Sequence, residues 1–178
     1  MKTIITSLIL FFFVGNCIFS QTVIHTADFE NSLDGWTQDL GDDFDWINKM
    51  EETDGNSTPS SNTGPSVASS GSYFMFTEAS SNYNITANLT SPLFDLSGIT
   101  NPQFTFYYHM YGSAMGTLSA DISTDGGLTY PINLWSKSGQ VQVSYSDSWI
   151  KVSIDLSPYI GQSTVKIRLR GYTGSAYT

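Results

Sequence analysis

Two short stretches near the amino-terminal end interleave carboxylates with large rings. They are ADFE, with Asp28 and Glu30 around Phe29, and GDDFDW, with Asp43 and Asp45 around Phe44. Oxygen donors of this kind suit a hard cation, and calcium takes roughly six to eight of them in irregular loops. One expectation is a structural Ca2+, or another hard cation, held by Asp28, Glu30, Asp43 and Asp45. The other is that these side chains cap turns and accept backbone N–H groups, a routine use of Asp. The rings of Phe44 and Trp46 have no place in a fully solvated run, and unpaired carboxylates have none in a buried strand. GDDFDW therefore belongs where the core meets something polar.

Other residues suggest contacts rather than reactions. Tyr107, Tyr111, Tyr145 and Trp149 fall opposite the aliphatic residues of their segments. Tyr107, Tyr111 and Trp149 are thus candidate platforms for a sugar face, with burial under loops as the alternative. Lys166, Arg168 and Arg170 alternate along one segment, where they either meet an acidic ligand or keep a strand edge solvated. STDGGLTY has the spacing S-x-D-x-G-x-T-aromatic, the Asp-box that recurs in sialidases as a hairpin element away from the catalytic site. The expectation is a tight hairpin: Asp125 bonds turn amides with Ser123 and Thr129 beside it, Gly126 and Gly127 take positive φ, and Tyr130 covers the core. Catalysis finds little support. His25 and His109 are the only histidines, and neither an HExxH pair nor a G-x-S-x-G elbow is present. A carboxylate pair for glycoside hydrolysis is assembled in space and leaves no sequence mark. Without a pocket signature the chain reads as non-enzymatic.

The formal net charge is −9, which repels nucleic-acid backbones and anionic lipid surfaces and favours divalent cations and solubility. Charged residues are only 13% of the chain while Ser, Thr, Asn and Gly are plentiful, as in exported β proteins with hydroxyl-rich faces. Residues 1–20 read as a secretory signal: Lys2, an apolar stretch from Ile4 to Val14, then a more polar exit. It is too short and weakly flanked for a stable membrane span. Cleavage after Ser20 exports the remainder. Lipidation at Cys17, after VGN, is the alternative, although Asn16 fits such processing poorly; membrane attachment otherwise needs a fused segment. Cys17 is the only cysteine, so the exported part has no disulfide or thiolate chemistry. Residues 21–178 have the size of one domain, and a domain of about 150 residues buries roughly 70% of its unfolded surface.

These side chains must be held by strands, because period-two alternation recurs after the leader and helical spacing does not. FTFYYHMY puts Phe104, Phe106, Tyr108 and Met110 on one face. LSADIST puts Leu118, Ala120 and Ile122 inward, with Ser119, Asp121 and Ser123 opposite. WIKVSIDL buries Ile150, Val152, Ile154 and Leu156, and TVKIRLR buries Val165, Ile167 and Leu169. SYFMF, apolar on both faces, reads as a central strand. Turn signals at TDGN, SPLFDLSG, DGG and SPYIGQ separate these runs, and the polar stretch from Met50 to Ser70 is the one long loop. Many short strands without helices between them indicate an all-β, two-sheet antiparallel sandwich. Sequons at Asn56, Asn84 and Asn88 would be glycan acceptors in a eukaryotic secretory pathway, and in a bacterial one they predict polar turns or edges facing water.

In this order, ADFENSLDGW, GDDFDW, TGPSVASSGSYFMFTEAS, ANLTSPLFDLS, FTFYYHMYGSAMGTLSADIS, LWSKSGQVQVSYSDSWIKVSIDLS and VKIRLRGYTG resemble the segments of a MAM domain. This is the extracellular jelly-roll module of meprin, neuropilin and receptor tyrosine phosphatases. The resemblance implies a jelly-roll over residues 21–178 and a non-catalytic adhesion or targeting role through protein–protein contact or self-association. The loops, above all residues 50–70, would present the contact surface. A carbohydrate-binding accessory to a larger secreted hydrolase or metallopeptidase is the alternative. Vertebrate members carry disulfides that this chain lacks, as a bacterial relative would. Members also end in a strand like DIAIDDI, which is expected to be missing here, and a sandwich without it leaves a neighbouring strand edge unpaired.

Overall fold

The computed structural model describes residues 22–30, 32–50 and 63–176; the leader, Cys17, Asn56, the TDGN turn and most of the expected long loop lie outside the described residues. Alternating strand formers give nine strands among them. These are β1 (Thr37–Gln38), β2 (Ile47–Met50), β3 (Tyr73–Phe76), β4 (Thr86–Thr90), β5 (Gln103–Tyr108), β6 (Thr117–Ser123), β7 (Ile132–Ser138), β8 (Ile150–Asp155) and β9 (Lys166–Tyr172). A single 3-10 turn at Ser157–Tyr159 lies between β8 and β9. All strand pairings are antiparallel. Five strands form one sheet in the order β1-β4-β9-β6-β7, while β2-β3 and β5-β8 form two separate ladders. Side chains of both ladders pack on the inner face of the five-stranded sheet, so the expected two-layer antiparallel jelly-roll sandwich is the fold observed.

The inner face follows from alternation. Ala87 and Leu89 of β4, Ala120 and Ile122 of β6, and Ile167 of β9 are fully or almost fully buried, as is Val165 just before β9. Phe104 and Ile154 pack on this cluster from the β5-β8 ladder and Met75 from β3. Rings lock the layers together. Trp36 lies 6.3 Å from Phe104, and Trp135 lies 5.3 Å from Phe106 and 5.1 Å from Tyr108, centroid to centroid, within the range of favourable aromatic pairs. Gly171 interrupts the apolar series of β9 for a steric reason: a Cβ there would stand 2.7 Å from Thr77 Cγ2 and 3.3 Å from the Trp46 ring.

Four expectations change. β9 is no edge: it pairs with β4 on one side and β6 on the other, so its cations cannot serve to discourage edge pairing. Ser119, Asp121 and Ser123 do face away from the core, yet all three are buried, because β6 is flanked by β9 and β7 and its outer face is covered. SYFMF gives β3, which has only β2 as a ladder partner; Phe74 is buried by the Trp149 ring rather than by a second neighbouring strand. Asn88 is 8% exposed, because it lies within β4 beside Arg170 of β9; of the two sequons among the described residues, Asn84 faces water.

Leu89→Ala is expected to cost about 3–5 kcal/mol, because the cavity it opens collapses only partly. Leu93→Ala, at an exposed site after β4, should stay within about 0.5 kcal/mol. Urea midpoints at unchanged slope check both, and equal losses would contradict the assignment of the core.

Candidate functional site

GDDFDW runs along the edge of β4. The Asp43 N–H donates to Thr86 O at 3.0 Å, and the Thr86 N–H donates back to Asp43 Oδ2 at 2.8 Å. Asp42 Oδ2 accepts the Asn88 N–H, and the Asp39 N–H donates to Asn88 O at 3.3 Å. Where two-residue β1 ends, the acidic stretch continues its pairing with side-chain as well as backbone groups. Burial raises the pKa of Asp42 against the Asn88 N–H that favours its charge, and Asp39 and Asp45 add to the rise. Trp46 turns inward, its indole N–H donating to Ala87 O at 3.1 Å, while the Gln38 amide bonds both its backbone groups.

ADFE engages a different element and is not in a strand. Glu30 Oε1 accepts the N–H groups of Ser72 and Tyr73 at 2.8 and 2.9 Å, at the start of β3. Asp28 Oδ1 accepts the Glu30 N–H at 3.1 Å. Asp34, which sequence reasoning passed over, organises the turn: its Oδ2 accepts the N–H groups of Asp28 and Phe29, each at 2.8 Å, and the Phe29 bond foremost holds its pKa down. Asp43 and Asp45 are exposed beside β4. Among the described residues no group of three or more Asp, Glu, His or Cys side chains is placed to hold a metal ion; Asp28 and Glu30 are tied to the start of β3, and Asp43 to Thr86 of β4.

Segment 64–67 bonds to three of the aromatic residues: the Gly64 N–H donates to the backbone oxygen of Tyr111, the Ser66 N–H to that of Tyr145, and the Trp149 indole N–H to Val67 O at 2.9 Å. The Trp149 ring meets Phe74 at 5.7 Å and His109 at 5.9 Å. Burial lowers the pKa of His109, with the Asp147 charge opposing it. Tyr107, 50% exposed, alone of Tyr107, Tyr111 and Trp149 offers half of its surface to solvent.

The Asp-box makes the expected hairpin. Asp125 accepts from the Ser123 and Thr129 hydroxyls, each at 2.6 Å, and from the Thr129 N–H, which hold its pKa well below the usual carboxylate range, the Ser123 bond foremost. Gly126 and Gly127 have φ of 78° and 95°. Tyr130, however, does not cover the core. It covers the opposite face of the sheet, with the Arg168 guanidinium 4.1 Å from its ring centroid.

Beneath Tyr130 lies a charged group that sequence reasoning missed. Asp121, 3% exposed, accepts from Arg170 Nε at 2.8 Å, Arg168 at 3.2 Å and Asn133 Nδ2 at 2.8 Å. Burial works to raise its pKa, but the bonds from Arg170 and Asn133, the Arg170 charge and the Arg168 bond together hold it below the ordinary value. The signal was present: a carboxylate between Ala120 and Ile122 in mid-strand requires a cation, and alternating Arg168 and Arg170 could supply two from one neighbouring strand.

A cavity of about 1040 Å³ separates the β2-β3 and β5-β8 ladders. Every residue of β3 and of β5 lines it, with Leu89, Ile167, Leu169 and Gly171 as its floor. No sequence motif announced it, since it arises from the absence of pairing between β3 and β5.

The model of the MAM domain, meprin/A5/mu, matches residues 27–177. MAM domain-containing glycosylphosphatidylinositol anchor protein 1 of Rattus norvegicus is 33% identical over 162 residues, covering 86% of this chain and 16% of the relative. Anchor protein 2 of Mus musculus is 32% identical over 148 residues, covering 76% of this chain and 15% of that protein. Among solved structures, a cleaved adhesin domain of Lys-gingipain from Porphyromonas gingivalis superposes with a TM-score of 0.57 at 14% identity, over 84% of this chain and 88% of that one. A second such domain gives 0.53 at 19% identity, over 82% and 87%. At these identities the two structures show the sandwich fold alone.

Asp121→Asn leaves two guanidinium groups around a neutral amide and is expected to cost about 3–5 kcal/mol at neutral pH. Because the folded-state pKa of Asp121 is depressed, its stabilisation is present above the unfolded value of about 3.9 and is lost as pH falls through the lower folded value. The gap between the parent and Asp121→Asn urea midpoints should therefore narrow below about pH 4; a gap constant with pH would refute the ion group. A second measurement addresses the cation. If the four carboxylates act as backbone acceptors, melting in excess calcium and in chelator should coincide; a calcium-dependent rise of several degrees would restore an ion site.

Proposed function

Since the chain belongs to the MAM domain family, we propose that it is a non-catalytic extracellular binding module that makes protein–protein contacts, either secreted or held at a cell surface. The observation that carries this reading is the family match along the whole sandwich, residues 27–177. The curated relatives are named as anchored proteins, and the solved structures include domains titled as adhesins. A rigid two-layer frame with irregular connections supplies what such a role needs. This chain spans about a sixth of the length of those relatives, so attachment to a membrane belongs to a fused segment or a lipid anchor. No helix among the described residues is long and apolar enough to cross a membrane.

What weighs against the sugar reading is that the Trp149 indole N–H is bonded to Val67 O and its ring meets Phe74. Binding of the fluorescently labelled chain to cells tests the choice. Binding that protease treatment of the cells removes and glycosidase treatment leaves is expected. Binding erased by glycosidase, together with a glycan-array signal that Tyr107→Ala weakens, would overturn it in favour of carbohydrate recognition.

A further inference from the structure

Three hydrogen-bond donors on the outward face of the five-stranded sheet are buried and unused. They are Arg168 Nε, the Thr90 hydroxyl and the Tyr130 hydroxyl, each shielded from solvent and without a hydrogen-bond partner among the described residues. Buried polar groups are paired almost without exception, so three such donors in one place need an account. They are in one place. Thr90 of β4 stands directly opposite Arg168 of β9, and the Tyr130 ring lies on the Arg168 guanidinium. Burial raises the pKa of Tyr130; the nearby Thr90 hydroxyl and the Arg168 charge act against the rise, and the Asp39 and Asp125 charges add to it. The two hydroxyls are therefore neighbours, although no hydrogen bond of normal geometry joins them. Lys166 is close as well, since a Cβ built on Gly127 would stand 3.2 Å from the Tyr130 hydroxyl and 2.9 Å from Lys166 Cδ.

The charges around these donors do not cancel. Arg168 and Arg170 bring two positive charges to the buried group and Asp121 returns one negative. Of the other carboxylates that act on Tyr130, Asp125 is engaged by Ser123 and Thr129 in its own hairpin, and Asp39 lies on the far side of β4 from Arg168. A cation is repelled by the guanidinium groups. A water has two lone pairs for three donors, and leaves the charge as it was. A monatomic anion accepts from all three donors and neutralises the excess, and bonds from a charged donor to an anion are the strong ones. Thr90 is 7% exposed, whereas the Arg168 side chain retains 20% and leaves a small ion a way in.

We propose that one monovalent anion, chloride in ordinary salt, is bound at the seam of β4 and β9 by Arg168 Nε and the hydroxyls of Thr90 and Tyr130. Because the Asp125 hairpin carries Tyr130, the ion fastens that hairpin to both strands. This site is independent of the binding role above.

Melting of the purified chain in potassium chloride and in potassium gluconate, at equal ionic strength, tests it, the gluconate ion being too bulky to enter. From about 10 to about 500 mM chloride the midpoint should rise by several degrees, as for any ligand of the folded chain, and gluconate should not reproduce the rise. Thr90→Val and Tyr130→Phe each remove one donor while keeping the shape, and each should weaken the chloride dependence about tenfold in concentration. Crystals of the parent grown in bromide should show an anomalous peak within about 3.5 Å of Arg168 Nε. Equal melting in the two salts, or a chloride response that both variants keep in full, would overturn the proposal. A bromide peak without any effect on melting would mean an adventitious ion only, and a peak without anomalous signal an ordered water; either result removes the site. Should a variant fail to fold, the parent's salt comparison and its bromide crystal still decide.

Discussion

A carboxylate in the middle of a sheet stays ionised only if cations are brought to it, and the meeting of Asp121 with Arg168 and Arg170 ties the alignment of β6 and β9 to electrostatics as well as to packing. The same two strands carry Ala120, Ile122 and Ile167 on their other face. A slip of one residue would turn every side chain over, placing guanidinium groups in the apolar interior and Ile167 outside. Both faces thus demand one register. Tyr130, brought over Arg168 by the Asp125 hairpin, closes the cover on the polar side.

Strand content and most inward residues were legible, because alternation reports directly which side of a pleat a residue occupies; Ile150, expected inward at the start of β8, is instead exposed. Phe104, Phe106 and Tyr108 on β5, and Ile167 and Leu169 on β9, needed nothing more. Alternation does not report what covers the second face. Ser119, Asp121 and Ser123 therefore looked solvated although their strand is central, and Lys166, Arg168 and Arg170 looked like guards of an edge that β4 and β6 in fact occupy. Likewise Trp149 was legible as an outward ring, but segment 64–67, far away in the chain, decides its neighbours.

GDDFDW shows the boundary condition that its composition demanded. Trp46 turns inward as far as Ala87 O, and Asp42 and Asp43 meet N–H groups along β4. A two-residue strand is too short to pair all of β4, and acidic side chains complete the work because a carboxylate accepts without needing a strand's geometry. In the opposite layer the described strands form two ladders, β2-β3 and β5-β8, that are not paired with one another.

The central place of β9 also dictates an order of events. It is the last of the described strands in chain order, yet it is the common neighbour of β4 and β6, with Thr86 opposite Tyr172. Until β9 has emerged, β4 and β6 have no common partner, and joining segments so distant in sequence is slow. Closure of the five-stranded sheet therefore waits for the synthesis of β9.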